Sequence, residues 1–136
     1  MENKIPRGIR NNNPLNIRVG NMWLGEVAEP TDKEFEQFIE LFYGLRAGFI
    51  ILKRYIERYH LCTIRKIISR WAPPTENNTN AYVALVAAKT GIPADQEINF
   101  AESKKMVAIV EAMCRIECGQ AVPLHKIRLA YEAVKV

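Results

Sequence analysis

From Gly44 onward, apolar residues recur at three- and four-residue steps, the period of helices packed on a core. Leu45, Phe49, Leu52, Tyr55 and Ile56 fall on one face and predict an amphipathic helix from Gly44 to about Tyr59. Thr63 is a good N-cap for a short basic helix over Ile64 to Trp71, stopped by Pro73-Pro74. Glu76-Asn77-Asn78-Thr79 offers capping groups for a helix through Tyr82, Leu85, Val86 and Ala88, closed by Gly91 and Pro93. After a loop around Asp95 to Asn99, Met106, Ile109, Val110, Met113 and Cys114 share the inner side of a long helix, Ala101 to Glu117, with Gly119 as its stop. Pro123 starts a last helix through Ile127, Ala130, Tyr131 and Val134.

Before Gly44 the pattern shortens. Ile17 to Val19, the segment around Trp23 and Glu34 to Phe38 read as short strands of a small sheet, with Gly20-Asn21 as a turn between the first two. The run Arg7 to Arg18 is rich in asparagine, whose amide bonds locally to backbone and tolerates left-handed dihedrals. It predicts either a shaped concave surface beside Trp23-x-Gly25, Phe35-x-x-Phe38 and Gly44-Leu45-Arg46-Ala47, or a well-capped loop. The fold class is α+β, mainly α, with a small N-terminal β element, in one domain over residues 1–136.

Composition changes this picture little. Hydrophobic residues make up 49% and charged ones 25%, as in ordinary soluble globular chains. The net charge is +4, and Lys4, Arg7, Arg10 and Arg18 crowd the front beside one acid, Glu2. That suits an anionic partner (nucleic acid, a phosphorylated wall polymer or a membrane surface) and equally a solvated basic end. Cys62, Cys114 and Cys118 are odd in number and read as reduced thiols of a protein made in the cytosol. His60 and His125 lack metal-ligand spacing, so neither a metal nor a cofactor is expected. Met1-Glu2-Asn3-Lys4 leads into polar residues, so no signal peptide is expected. The run Gly48 to Leu52 is broken by Lys53-Arg54, far short of a membrane span.

Several blocks resemble a phage and prophage virion-associated family. They are Arg7-Gly8-Ile9-Arg10-Asn11-Asn12-Asn13-Pro14-x-Asn16-Ile17-Arg18, Trp23-x-Gly25, Thr31-Asp32, Phe35-x-Gln37-Phe38 and Tyr43-Gly44-x-Arg46-Ala47. The match continues through Thr63 to Ile68 and Arg70-Trp71-Ala72-Pro73-Pro74-x-Glu76-Asn77-Asn78-Thr79-x-Ala81-Tyr82. The resemblance covers nearly the whole chain and implies a virion structural protein with a lysozyme-like fold. Two departures stand out: Leu15 where the family usually has Gly, and Ile116-Glu117-Cys118-Gly119 where it tends to have His-Glu-Asn-Gly. A second resemblance is to flagellar-type glucosaminidases and lytic transglycosylases, where a helix ends in Glu-Ser-Gly and a loop Asn-Asn-x-x-x-Ile-Lys and a Trp-x-Gly follow. Here Asn12-Asn13-x-x-Asn16-Ile17-Arg18 and Trp23-x-Gly25 open the chain and Glu117-x-Gly119 lies near its end, so the order looks circularly permuted.

That second resemblance implies cleavage of peptidoglycan glycan strands with Glu117 as general acid. Glu117 follows Met113, Cys114 and Ile116 at a helix C-terminus, where desolvation and the macrodipole both favour the protonated form. A structural acid bonded to the asparagine loop is the equal alternative. Asp32 is the best partner carboxylate, ahead of Glu34. Asn12, Asn13, Asn16, Arg18, Trp23, Tyr43, Trp71, Glu76 and Tyr82 complete the candidate substrate site, Glu76 also fitting helix-start chemistry and the aromatics also fitting a core. The partners expected are glycan strands and other virion proteins, with no specific nucleic acid and no membrane, and the location is the virion or the cell wall. The rival classes are a non-catalytic virion interaction protein and a nucleic-acid binder using Arg65, Lys66 and Arg70. The latter lacks helix-turn-helix spacing.

Overall fold

The protein is described by a computed structural model over residues 5–135. Lys4 of the basic front and the Met1 to Lys4 leader reading lie outside these residues. Six helices run in the order α1 (Arg7–Arg10), α2 (Leu41–Glu57), α3 (Ile64–Trp71), α4 (Thr79–Thr90), α5 (Ser103–Cys118) and α6 (Leu124–Val134). Five of the six lie where the apolar period places them, with ends shifted by a few residues. The sixth, α1, is a single turn inside the expected loop. None of the described helices is long and apolar enough to cross a membrane.

Local chemistry explains the helix ends. The Thr63 hydroxyl accepts from Lys66 N–H at 3.1 Å to start α3. Asn78, within the expected capping run, accepts from Ala81 N–H at 3.2 Å to start α4. Gly91 and Gly119 close α4 and α5 in left-handed conformation, at φ 72° and 73°. One correction concerns α4: Val83 is buried with Tyr82 and Val86, while Leu85 and Ala88 face outward.

The buried residues form a continuous cluster. Helix α2 lays Leu45, Phe49, Leu52 and Ile56 against α6, and α5 packs between α4 and α6. Phe49, Phe100 and Tyr131 meet at ring separations of 5.3 to 6.3 Å, and the Tyr131 hydroxyl donates to the Phe100 carbonyl at 2.7 Å. Leu15 is fully buried. It sits over Gly48, where an added Cβ would lie 2.3 Å from its Cδ1. The departure from glycine at position 15 therefore adds a core contact, and the backbone there needs no positive φ.

The expected N-terminal sheet is corrected. Among the described residues there is no regular strand, only isolated antiparallel bridges Arg18–Phe35 and Glu26–Phe38. Residues 34–39 form the centre of this lobe, bonded to Ile17 and Val19 on one side and to Gly25 and Val27 on the other. The Gly20-Asn21 turn therefore does not join paired strands. Side chains intercept the backbone groups a ladder would use. Asp32 Oδ1 accepts from Glu34 and Phe35 N–H, Gln37 Oε1 accepts from Thr31 and Asp32 N–H, and Asn13 bridges Ile17 and Glu36.

Two predictions follow from contacts in this lobe. An alanine Cβ at Gly44 would sit 1.9 Å from the Asn12 carbonyl oxygen, a backbone atom that cannot swing away. Gly44→Ala should lose about 2 kcal/mol or more in urea unfolding, and an unchanged midpoint would contradict this contact. Glu36 is buried beside Glu26, and burial first, then the Glu26 carboxyl, pushes its pKa up to about 7. Unfolded, it titrates at the ordinary carboxyl value, so stability falls as pH rises from there through about 7. Glu36→Gln should raise the melting temperature near pH 8 and leave it nearly unchanged near pH 4. An equal effect at both pH values would show that charge is not the cause.

Candidate functional site

An open cleft of about 730 Å³ separates the irregular N-terminal lobe from the helices. Its lobe wall carries Asn16, Arg18, Trp23 and Phe35, and its helical wall carries Arg54, Tyr55, Tyr59, Arg70 and Trp71. Glu117, in the last turn of α5, lies half-buried in the cleft lining, and Glu76 stands exposed in the turn before α4.

Three neutral donors hold Glu117. Tyr82 Oη donates to Oε2 at 2.9 Å, Trp71 Nε1 to the same oxygen at 3.3 Å, and Asn16 Nδ2 to Oε1 at 3.4 Å. The same Asn16 amide also donates to the Glu117 carbonyl at 3.0 Å, closing a gap of 101 residues. The asparagine loop thus packs on the end of the helix carrying Glu117. Burial pushes the Glu117 carboxyl above its ordinary value, while Tyr82, Asn16, Trp71 and the charge of Arg18 pull it down. Burial, reinforced by the adjacent Glu117, pushes the Tyr82 phenol far up, so it remains a donor.

Asp32 lies elsewhere. It is outside the cleft lining and bound by Arg7 Nε at 2.6 Å, Arg7 Nη2 at 2.7 Å and Asn11 Nδ2 at 2.9 Å, besides the Glu34 and Phe35 amides. The Arg7 guanidinium, foremost among these contacts, holds it far below the usual carboxylate range. Every lone-pair direction is occupied, so Asp32 serves to close the lobe and is no partner for Glu117. Glu34 pairs with Arg7 at 3.6 Å and Arg18 at 3.8 Å, also outside the cleft lining. Arg7 is consequently an internal tie, and the basic front is partly neutralised.

The other candidates divide. Asn16, Arg18, Trp23, Trp71 and Glu76 line the cleft. Tyr82 does not, and reaches Glu117 from the buried side. Asn13 is fully buried, its amide bound to Ile17 and Glu36 carbonyls. Asn12, at φ 54°, donates to the Phe38 carbonyl. Tyr43 packs its ring on Gly25 and against Phe42, away from the cleft.

Sequence reasoning missed the helical wall. Tyr55 was expected on the inner stripe of α2, yet its ring meets Trp71 edge-on at 6.4 Å in the cleft. Arg54, Tyr59 and Arg70 were not singled out for the cleft. The available signal was Arg54-Tyr55 followed by Arg58-Tyr59, arginine and tyrosine repeating at four-residue spacing on one helix end.

Comparison with known proteins gives one informative relative. Protein P5 of Pseudoalteromonas phage PM2 is 44% identical over 121 residues, spanning 86% of this chain and 74% of that protein. No family model matches the chain.

If Tyr82 tunes the carboxyl, Tyr82→Phe removes the nearest donor to its charged form. A carboxyl-labelled NMR titration should then show the Glu117 pKa higher than in the parent. An unmoved titration would mean that Tyr82 only packs there.

Proposed function

We propose that this chain, which belongs to the same family as Protein P5 of Pseudoalteromonas phage PM2, is a phage-derived muralytic protein of lysozyme-like arrangement. Its substrate is the glycan strand of peptidoglycan, reached from the virion or after release at the cell wall. The reading is carried by one observation: a carboxyl pushed toward its protonated form by burial lines an open cleft beside two tryptophans. Trp23 and Trp71 supply faces on which sugar rings stack, and Arg18 supplies donors for sugar hydroxyls.

With Asp32 withdrawn into the lobe, Glu117 acts as a single acid, which favours the lytic transglycosylase course over hydrolysis. The Glu117 proton passes to the glycosidic oxygen as the bond to the anomeric carbon breaks. The sugar's own acetamido oxygen shields that carbon. The C6 hydroxyl then closes on it, returning a proton to the Glu117 carboxylate. The product is a 1,6-anhydro end, and no water is consumed. Tyr82 and Trp71, both on Oε2, steady the carboxylate between the two proton transfers. Glu76, also in the cleft lining, is available for substrate contact.

Glu117→Gln keeps the shape and, through its amide oxygen, the Tyr82 and Trp71 bonds, but loses the Asn16 bond to Oε1 and the transferable proton, so clearing of a cell-wall suspension should fall by about 10²-fold or more. Soluble fragments should carry anhydro ends, each one water lighter by mass than a hydrolysed fragment. Equal clearing by both proteins makes Glu117 structural. Failure of the wild type on several wall chemistries returns the chain to the alternative, a non-catalytic virion interaction protein.

A further inference from the structure

The helical wall of the cleft carries charge that the cleavage step does not use. Arg54 and Arg70 stand exposed in the cleft lining. Their guanidinium groups are placed by aromatic rings, Arg54 over Trp23 at 5.9 Å and Arg70 over Tyr59 at 4.9 Å and Tyr55 at 5.7 Å. Arg58 approaches the same Tyr59 ring at 5.9 Å. Arg54 also lines a second groove of about 420 Å³ between α2 and α6, with Arg46, Arg58 and Glu57. The cleft and the groove therefore share one lining side chain. Among the described residues no carboxylate lies within ion-pair distance of Arg46, Arg54, Arg58 or Arg70, whereas Arg7, Arg65 and Arg115 are each paired. Lys53, also in the groove, donates to the Val134 carbonyl at 3.1 Å and is not counted in this set.

We propose that Arg46, Arg54, Arg58 and Arg70, set along the cleft and the adjoining groove, bind the carboxylates of peptide stems carried by the wall glycan, holding the strand as it leaves the cleft. This rests on the muralytic reading and adds to it the class of group recognised. The charge layout selects among polyanions. A nucleic acid carries its charge along its backbone and would bring phosphates against the Glu117 carboxylate. A wall glycan is neutral along its sugar chain and carries its anions on side branches, which matches a carboxyl in the cleft and arginines set along its exit. The guanidinium groups of Arg54, Arg58 and Arg70, placed over aromatic faces, have less rotamer freedom left to lose on binding, which suits carboxylates arriving on flexible stems.

The test measures binding without cleavage, in the Glu117→Gln background, to purified sacculi freed of phosphodiester polymers. Arg46→Gln with Arg58→Gln removes two charges that line the groove but not the cleft. The double variant should bind intact sacculi about tenfold more weakly than its parent at low salt, with the difference shrinking as salt rises. Both should bind equally to the same sacculi after carbodiimide coupling to ammonia has converted the stem carboxylates to neutral amides. Equal binding to intact sacculi overturns the proposal, as does an equal loss on the amidated sacculi or tighter binding of the parent to duplex DNA. Thermal melting checks that the variant is folded. A second pair, Arg46→Glu with Arg58→Glu, should weaken binding further, and failure to do so also counts against it. Clearing by the chain with Glu117 intact separates the two readings. Arginine-dependent binding without clearing removes the cleavage step alone, and Glu117-dependent clearing without arginine dependence removes the role of the arginines alone.

Discussion

The Asn13 side chain lies fully buried, and its amide answers three backbone groups: Ile17 N–H donates to Oδ1, and Nδ2 donates to the Ile17 and Glu36 carbonyls. A buried amide left unpaired costs about 1–3 kcal/mol for each lost partner, so the loop around Asn13 has little freedom. That closure pins the turn from which Leu15 enters the core over Gly48 and from which Asn16, at φ 53°, reaches across to Glu117. The cleft depends on it, because one wall is this loop and the other is helical. Gly44 allows the fit from the opposite side, since α2 lies directly on the Asn12 carbonyl.

The site then balances burial against donors. Desolvation alone would drive the Glu117 proton on strongly, while Tyr82, Asn16, Trp71 and Arg18 draw it back. Such opposition suits the proposed general acid, which must give up a proton and take it back. Asp32 is the contrasting case: the same functional group, surrounded by five donors, two of them from the Arg7 guanidinium, is locked as an anion and holds the lobe together. Two carboxylates of similar appearance in the sequence thus have unlike roles, assigned by what surrounds them.

The N-terminal lobe keeps its shape without a sheet. Polar side chains of Asn13, Asp32 and Gln37 occupy backbone groups that would otherwise extend the two bridges into ladders. Such a lobe can be shaped residue by residue around a cleft, which a regular sheet would flatten. Arg7 and Arg18 both stack on Phe35, so part of the basic front is built into this lobe.

Helix positions, their caps and their glycine stops were legible in the sequence, because each is set by residues within one or two turns of each other. The carboxyl at the end of α5 was legible too, since Glu117-x-Gly119 is a local pattern. The reading of Asp32 as catalytic failed because its fate is decided by Arg7, 25 residues away. The sheet was expected from strand-like composition, yet side chains up to 26 residues away claimed its backbone. The arginine and tyrosine wall was hidden because periodicity reports which face of α2 is apolar, and not what stands opposite its polar end. The sequence by itself determined where the helices run and where they stop. Which acids face a cleft, which are sealed, and which arginines stay unpaired was decided by tertiary packing, because burial and charge pairing are properties of neighbours in space.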